Sequence, residues 1–189
     1  ADGALDSTFG AGGKVAPLPN VSADIYATAL QADGKLVLVG QCGAKMCAWR
    51  LTETGALDPA FNQGLTWSPT GLSGRADAVV IQPDGKMFLA GNCSWQFCVA
   101  RYKADGSPDT AFGTNGGVVV ATATGSSAKG IALQPDGRLV LAGYCFIGSV
   151  GNIIDNDPCV IRLHQDGSLD NLFGTNGSLT IAVTARDDR

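Results

Sequence analysis

Six cysteines fall in three pairs, Cys42 with Cys47, Cys93 with Cys98 and Cys145 with Cys159, and two chemistries suit paired thiols. A zinc site would want C-x2-C spacing and further ligands. The first two pairs are C-x4-C, and the chain holds one histidine, His164. An even count, with one pair in each recurring segment, instead predicts three local disulfides and an oxidising compartment. In the first two pairs each bond would staple opposite positions of a tight hairpin. So small a loop has little chain entropy to lose, and each bond should add about 2 kcal/mol. Thirteen residues separate Cys145 from Cys159, which marks an insertion.

Charged residues recur as regularly. Arg50, Arg101 and Arg162 each stand three places after a second cysteine, and Asp6, Asp58, Asp109 and Asp170 return at matching intervals. Such a set could ring a channel and hold an ion or an anionic ligand. It could equally form ion pairs that lock a connecting loop onto each unit. Presence in every copy favours the structural pairs, because a single active site rarely needs every copy. Removing one partner of such a pair leaves a buried charge and costs roughly 3–5 kcal/mol.

Serine, histidine and acid never coincide in a nucleophile pattern, so no enzyme is expected, and a secreted hydrolase is the least favoured alternative. His164 occupies the place of Thr52 and Lys103 in other copies, which marks a surface position. The insertion carries Asn152, Asp155, Asn156 and Asp157. Their oxygens make Asp155 and Asp157 weak candidates for calcium, but the spacing matches no known loop and no cofactor is expected. Met46, Trp95, Phe97, Phe146, Ile147, Ile153 and Ile154 fall at or near the cysteine hairpins. Apolar tips mark a contact surface, unless the side chains fold back over the body.

These residues recur because the chain repeats. D-G-x-L-D-x-x-F-G runs from Asp2 to Gly10 and returns, slightly altered, from Thr54, Asp105 and Asp166. D-G-[KR] before an apolar run appears at Asp33, Asp84 and Asp136. The division is a single repeat domain, 1–189, with units of about 1–53, 54–104 and 105–165 and a partial fourth over 166–189. Within a unit, 117–122 reads as a first strand and 128–134 as a second. Pro135-Asp136-Gly137 then makes a hairpin turn, 138–144 a third strand and 159–164 a fourth. Helical periodicity is absent, so the fold class is all-β.

Comparison among copies adds detail. Gly12, Gly64, Asn115 and Asn176 each follow a signature phenylalanine by three places, as residues that tolerate the left-handed region. Phe9, Phe61, Phe112 and Phe173 read as plugs that pack one unit onto the next. Gly40, Gly91 and Gly143, each two places before a first cysteine, predict a close backbone neighbour.

A formal charge of -4 argues against nucleic acid and against an anionic membrane surface. No apolar stretch approaches the ~18 residues that would span a bilayer. With paired cysteines and a chain opening at Ala1 directly on a repeat, the expected location is secreted, at the cell surface or beyond.

The combined motif, clearest over 104–113, 134–143 and 165–174, resembles the delta-60 repeat, a bacterial extracellular repeat related to β-propeller blades. The resemblance implies blades and bacterial secretion, and no defined reaction. Thr54, Asn62 and Pro108 depart from the pattern. The expected architecture is three four-stranded propeller-like blades plus an extra C-terminal strand, with a β-prism or β-trefoil as the threefold alternatives. That extra strand is Ser178, Leu179, Thr180, Ile181, Ala182 and Val183. An unpaired strand invites a partner chain, so the leading expectation is a structural protein that pairs with copies of itself, as a filament or surface layer. The alternative is a lectin-like module for glycans or a cell-surface protein.

Overall fold

A computed structural model describes residues 3–15, 22–69, 72–121, 125–150 and 153–181, without the side chains of 147–150 and 153–155. Among the described residues twelve strands form three antiparallel four-stranded sheets. The first sheet holds β1 (Ala23–Leu30), β2 (Leu36–Cys42), β3 (Lys45–Leu51) and β4 (Leu65–Trp67). The second holds β5 (Gly74–Ile81), β6 (Met87–Cys93), β7 (Gln96–Tyr102) and β8 (Gly117–Val120). The third holds β9 (Ser126–Leu133), β10 (Leu139–Val150), β11 (Ile153–Leu163) and β12 (Ser178–Thr180). Each is a simple up-and-down meander in chain order. All-β blades are as expected.

Glycine turns set this order. In the second sheet the D-G turn holds Gly85 at φ 83 and reverses β5 into β6. The longer D-G-x-L-D-x-x-F connection then carries the chain from the third strand of a sheet to the fourth. Its end needs left-handed backbone at Gly12, Gly64, Asn115 and Asn176, with φ between 51 and 94, which confirms the reason for alternating glycine and asparagine.

The sheets stack face to face. Val37, Val39, Met46 and Ala48 of the first sheet pack on Met87, Leu89, Ala100 and Tyr102 of the second. Phe88, Ala90, Phe97 and Val99 on its other side pack on Leu139, Leu141, Ile161 and Leu163 of the third. Burial on both faces explains why β6 and β7 read as nearly continuous apolar runs. The innermost strands β1, β5 and β9 lie side by side along one axis, and among the described residues the third sheet does not return to the first. The sheets form an open arc, so neither threefold alternative is realised.

Three expectations need correction. The strand at Ser178 is not an orphan: Ser178, Leu179 and Thr180 pair with Ile161, Val160 and Cys159 as the outer strand of the third sheet. Ile181 continues this pairing with a hydrogen bond to the Pro158 carbonyl, while Ala182 and Val183 lie outside the described residues. The strand at 117–120 likewise closes the second sheet instead of opening the third. The surplus segment is therefore the N-terminal one, residues 3–15, a connection equivalent to 55–67 that lies against the first sheet through the Gly10 N–H bond to the Thr54 carbonyl.

All three disulfides form. They join diagonal positions rather than opposite ones, because each second cysteine faces Gly40, Gly91 or Gly143. The insertion lengthens β10 and β11 into one long hairpin, with Val150 opposite Ile153. The 93–98 bond reaches between sheets: both sulfurs lie 3.9 Å from Met46 Sδ. Replacing Cys93 and Cys98 together with alanine should cost about 2 kcal/mol, read as a lowered denaturant midpoint against the oxidised parent.

Candidate functional site

Each inner strand carries one irregularity, and all three fall at the same repeat position. Register slips between Ile25 and Ala27 in β1, between Ala76 and Ala78 in β5, and at Lys129 in β9. The bulged residues are therefore Tyr26, Asp77 and Lys129. A bulge adds one residue to one strand and re-aims its side chain. The same crowding explains the glycines: a Cβ at Gly40, Gly91 or Gly143 would lie 1.8, 2.0 or 1.9 Å from the carbonyl oxygen just before the bulge.

The bulged side chains and their neighbours form one string across the arc. Arg75 Nε lies 3.1 Å from Asp77 Oδ2, and Lys129 Nζ lies 3.2 Å from Asp77 Oδ1. The Arg75 guanidinium sits 5.3 Å from the Tyr26 ring centre, and Lys129 Nζ 5.7 Å from that of Tyr144. Burial works against the charge on Arg75, but Asp77 outweighs it and holds the guanidinium more firmly protonated than usual. A cleft of about 210 Å³ opens beside this string, lined by Gln41, Gly74, Arg75, Asn92, Trp95 and Tyr144.

Trp95 is 76% exposed, yet its backbone is fixed. Ser94 and Trp95 take φ 51 and 63 at the tip of the β6–β7 hairpin, where the mirror-image turn demands two left-handed residues. The Trp95 N–H donates to Asn92 Oδ1 at 3.2 Å, and its carbonyl accepts the Ser126 N–H at 2.6 Å. Asn92 Nδ2 donates to the Ser126 carbonyl at 2.7 Å. Non-glycine residues held there cost of order 1 kcal/mol each, so this aromatic is displayed at some expense.

The other tip residues part company. Met46 and Phe97 are fully buried, a correction to the contact surface: they lie on the face that meets the next sheet. Phe146 is half-buried, and the side chains of Ile147, Ile153 and Ile154 lie outside the description. Asp157 is buried opposite Cys145 on β11, Asp155 lies outside the side-chain description, and no group of three metal-ligating residues gathers among the described residues.

At the opposite end of the sheets, the recurrent charges form the expected ion pairs. Arg50 Nε lies 2.8 Å from Asp58, Arg101 Nε 2.9 Å from Asp109 and Arg162 Nε 2.8 Å from Asp170. A second cation completes each set, Lys35, Lys86 or Arg138 of the D-G-[KR] turn. Burial opposes ionisation of Asp58 and Asp109, but the lysine, the arginine and a backbone N–H outweigh it and hold both carboxyls below the usual range. Asp6 differs: it is exposed, and among the described residues its carboxylate accepts hydrogen bonds from Thr8 alone.

Each set also grips the next unit. Arg50 donates to the Ala104 carbonyl at 2.6 Å and Arg101 to that of Gln165 at 2.8 Å. Beneath the guanidinium lie Phe61, Phe112 and Phe173, with ring centres 4.8, 5.0 and 4.6 Å away. The D-G glycine of the next unit rests on the ring: a Cβ at Gly55, Gly106 or Gly167 would come within 3.2 Å of Phe9, Phe61 or Phe112. The phenylalanines are plugs between units, as expected. Arg162 and Phe173 keep their mutual contact but have no following glycine or carbonyl among the described residues, and a Cβ at Gly3 would meet nothing.

The family model described as a domain of unknown function (DUF5122) forming a β-propeller matches residues 82–112 and 134–173. That match and the three meander sheets agree on β-propeller repeats. No curated protein matches the chain. No helix among the described residues is long and apolar enough to cross a membrane.

Proposed function

We propose that this run of β-propeller blades is an exported, non-enzymatic module that assembles with copies of itself, sheet face on sheet face. One observation carries the reading. Positions that are buried between sheets inside the chain are open at both ends of the arc. Val39 and Ala90 are fully buried, while the equivalent Ala142 is exposed; Met46 and Phe97 are fully buried, while Pro158 is exposed. Leu179 and Ile181 extend this apolar face at 46% and 51% exposure. At the other end Leu30 is 71% exposed where Ile81 and Leu133 are packed. The two open faces are repeat equivalents of faces that already fit each other twice within the chain. A head-to-tail contact of this kind closes a ring or propagates a filament. The three disulfides support export into an oxidising compartment.

Light scattering of the oxidised chain across a concentration series tests this. The expected result is a mass that rises with concentration and returns to the monomer in Ala142→Glu. That side chain is exposed in the single chain, so the variant should keep its own stability. A parent that stays monomeric throughout would overturn the reading. A second reading, an extracellular binding module, is favoured by the rigid Trp95 platform beside Arg75.

A further inference from the structure

We infer that the cleft between Trp95, Arg75 and Tyr144 is a binding site for a saccharide carrying a carboxylate, a hexuronate in a glycan chain. The inference rests on the binding-module reading and is independent of assembly. Unsatisfied hydrogen-bonding capacity converges on this cleft. Arg75 spends its Nε on Asp77, while its two terminal nitrogens have no protein acceptor among the described residues. A free guanidinium fork matches a carboxylate in two parallel hydrogen bonds. Tyr144 offers a hydroxyl, and Gln41 Oε1 remains an acceptor because its Nε2 is held by the Gly43 carbonyl at 2.8 Å. Hydroxyls at the corners of a sugar ring are the natural partners of such a mixed set.

Charge selects an acidic sugar over a neutral one. Arg75 is the charged side chain that lines the cleft, and the Asp77 beside it is shared with a second cation, Lys129, in a chain whose net charge is -4. Asp24, opposite Gln41 on β1, is exposed and does not line the cleft. The exposed indole of Trp95 provides a flat apolar face for the C–H side of the sugar. Its backbone is already locked by Asn92, Ser126 and the neighbouring disulfide, so little ordering remains to be done on binding.

Calorimetric titration with a glucuronate-terminated oligosaccharide, its methyl ester and the matching neutral glucose oligosaccharide tests the site. The acid should bind at least about tenfold tighter than the ester or the neutral sugar, as expected for a charge-assisted bidentate pair. Trp95→Gly removes the ring and suits the left-handed backbone, so it should fold at least as well while weakening all three ligands by about tenfold. Arg75→Gln should abolish the preference for the acid. Equal binding of acid and neutral sugar would overturn the ligand class but leave a binding module. Unchanged binding in Trp95→Gly would overturn the location, and no binding by any of the three would overturn both the site and the module.

Discussion

Asp109→Ala is expected to cost about 3 kcal/mol in urea denaturation, toward the low end for a broken buried ion pair because Lys86 reaches solvent. The carboxylate holds Lys86 Nζ at 3.1 Å and Arg101 Nε at 2.9 Å, and its Oδ1 accepts the Ala111 N–H at 3.3 Å. Truncation leaves Arg101 between the Phe88 and Phe112 rings without a counter-ion, at the point where it grips Gln165 of the next unit. The repeat supplies the control. Asp6 occupies the same place in the motif with no arginine paired to it among the described residues, so Asp6→Ala should change little. Equal losses at Asp6 and Asp109 would show that the local turn matters and the grip between sheets does not.

The same pairs set an acid limit. Asp58 and Asp109 have folded-state pKa values depressed below the ordinary 3.8. The stability they contribute is complete above that value and is lost as pH falls through the lowered folded values. The parent should lose stability steeply below about pH 4, and Asp109→Ala should show a shallower decline.

Gly91→Ala is the second large effect. The added Cβ would sit 2.0 Å from the Arg75 carbonyl oxygen and 2.9 Å from the Asp77 nitrogen. Gly91 does not occupy the positive-φ region, so the penalty is steric and not conformational. Relief requires the β5 bulge to move, and overpacking of this kind costs roughly 3 kcal/mol or prevents folding. Gly130→Ala is the matched control, since a Cβ there meets nothing within 4 Å; it should be neutral in thermal melting. A variant Gly91→Ala as stable as the parent would mean that the bulge is soft, and Arg75 and Asp77 would then lose their fixed placement.

Much of the frame was legible in the residues. Gly40, Gly91 and Gly143 announced a crowding backbone, the phenylalanines announced contacts between units, and the cysteine pairs were disulfides. A repeat, however, fixes a unit only up to a cyclic shift. The strand at Ser178 could belong to the sheet before it or after it, and only its hydrogen bonds to β11 decide. The eleven-residue connection from Thr54 to Gly64 suggested a boundary between sheets, yet it folds back within one. Met46 and Phe97 were misplaced because proximity to a hairpin tip says nothing about which face a side chain takes. The site on the axis left no motif at all. Tyr26, Asp77 and Lys129 share a repeat position but no chemistry, and Tyr144 joins them from another strand.

That last mismatch carries a consequence. The bulge and its glycine are invariant hardware in all three sheets, while the residue riding on each bulge is aromatic, acidic or basic in turn. Backbone geometry and side-chain chemistry are thus uncoupled at these places. Duplicating, deleting or reordering whole units would rewrite the polarity of the axis while keeping each bulge and its glycine. The chemistry displayed along the axis can therefore change by shuffling unit-sized segments as well as by point substitution.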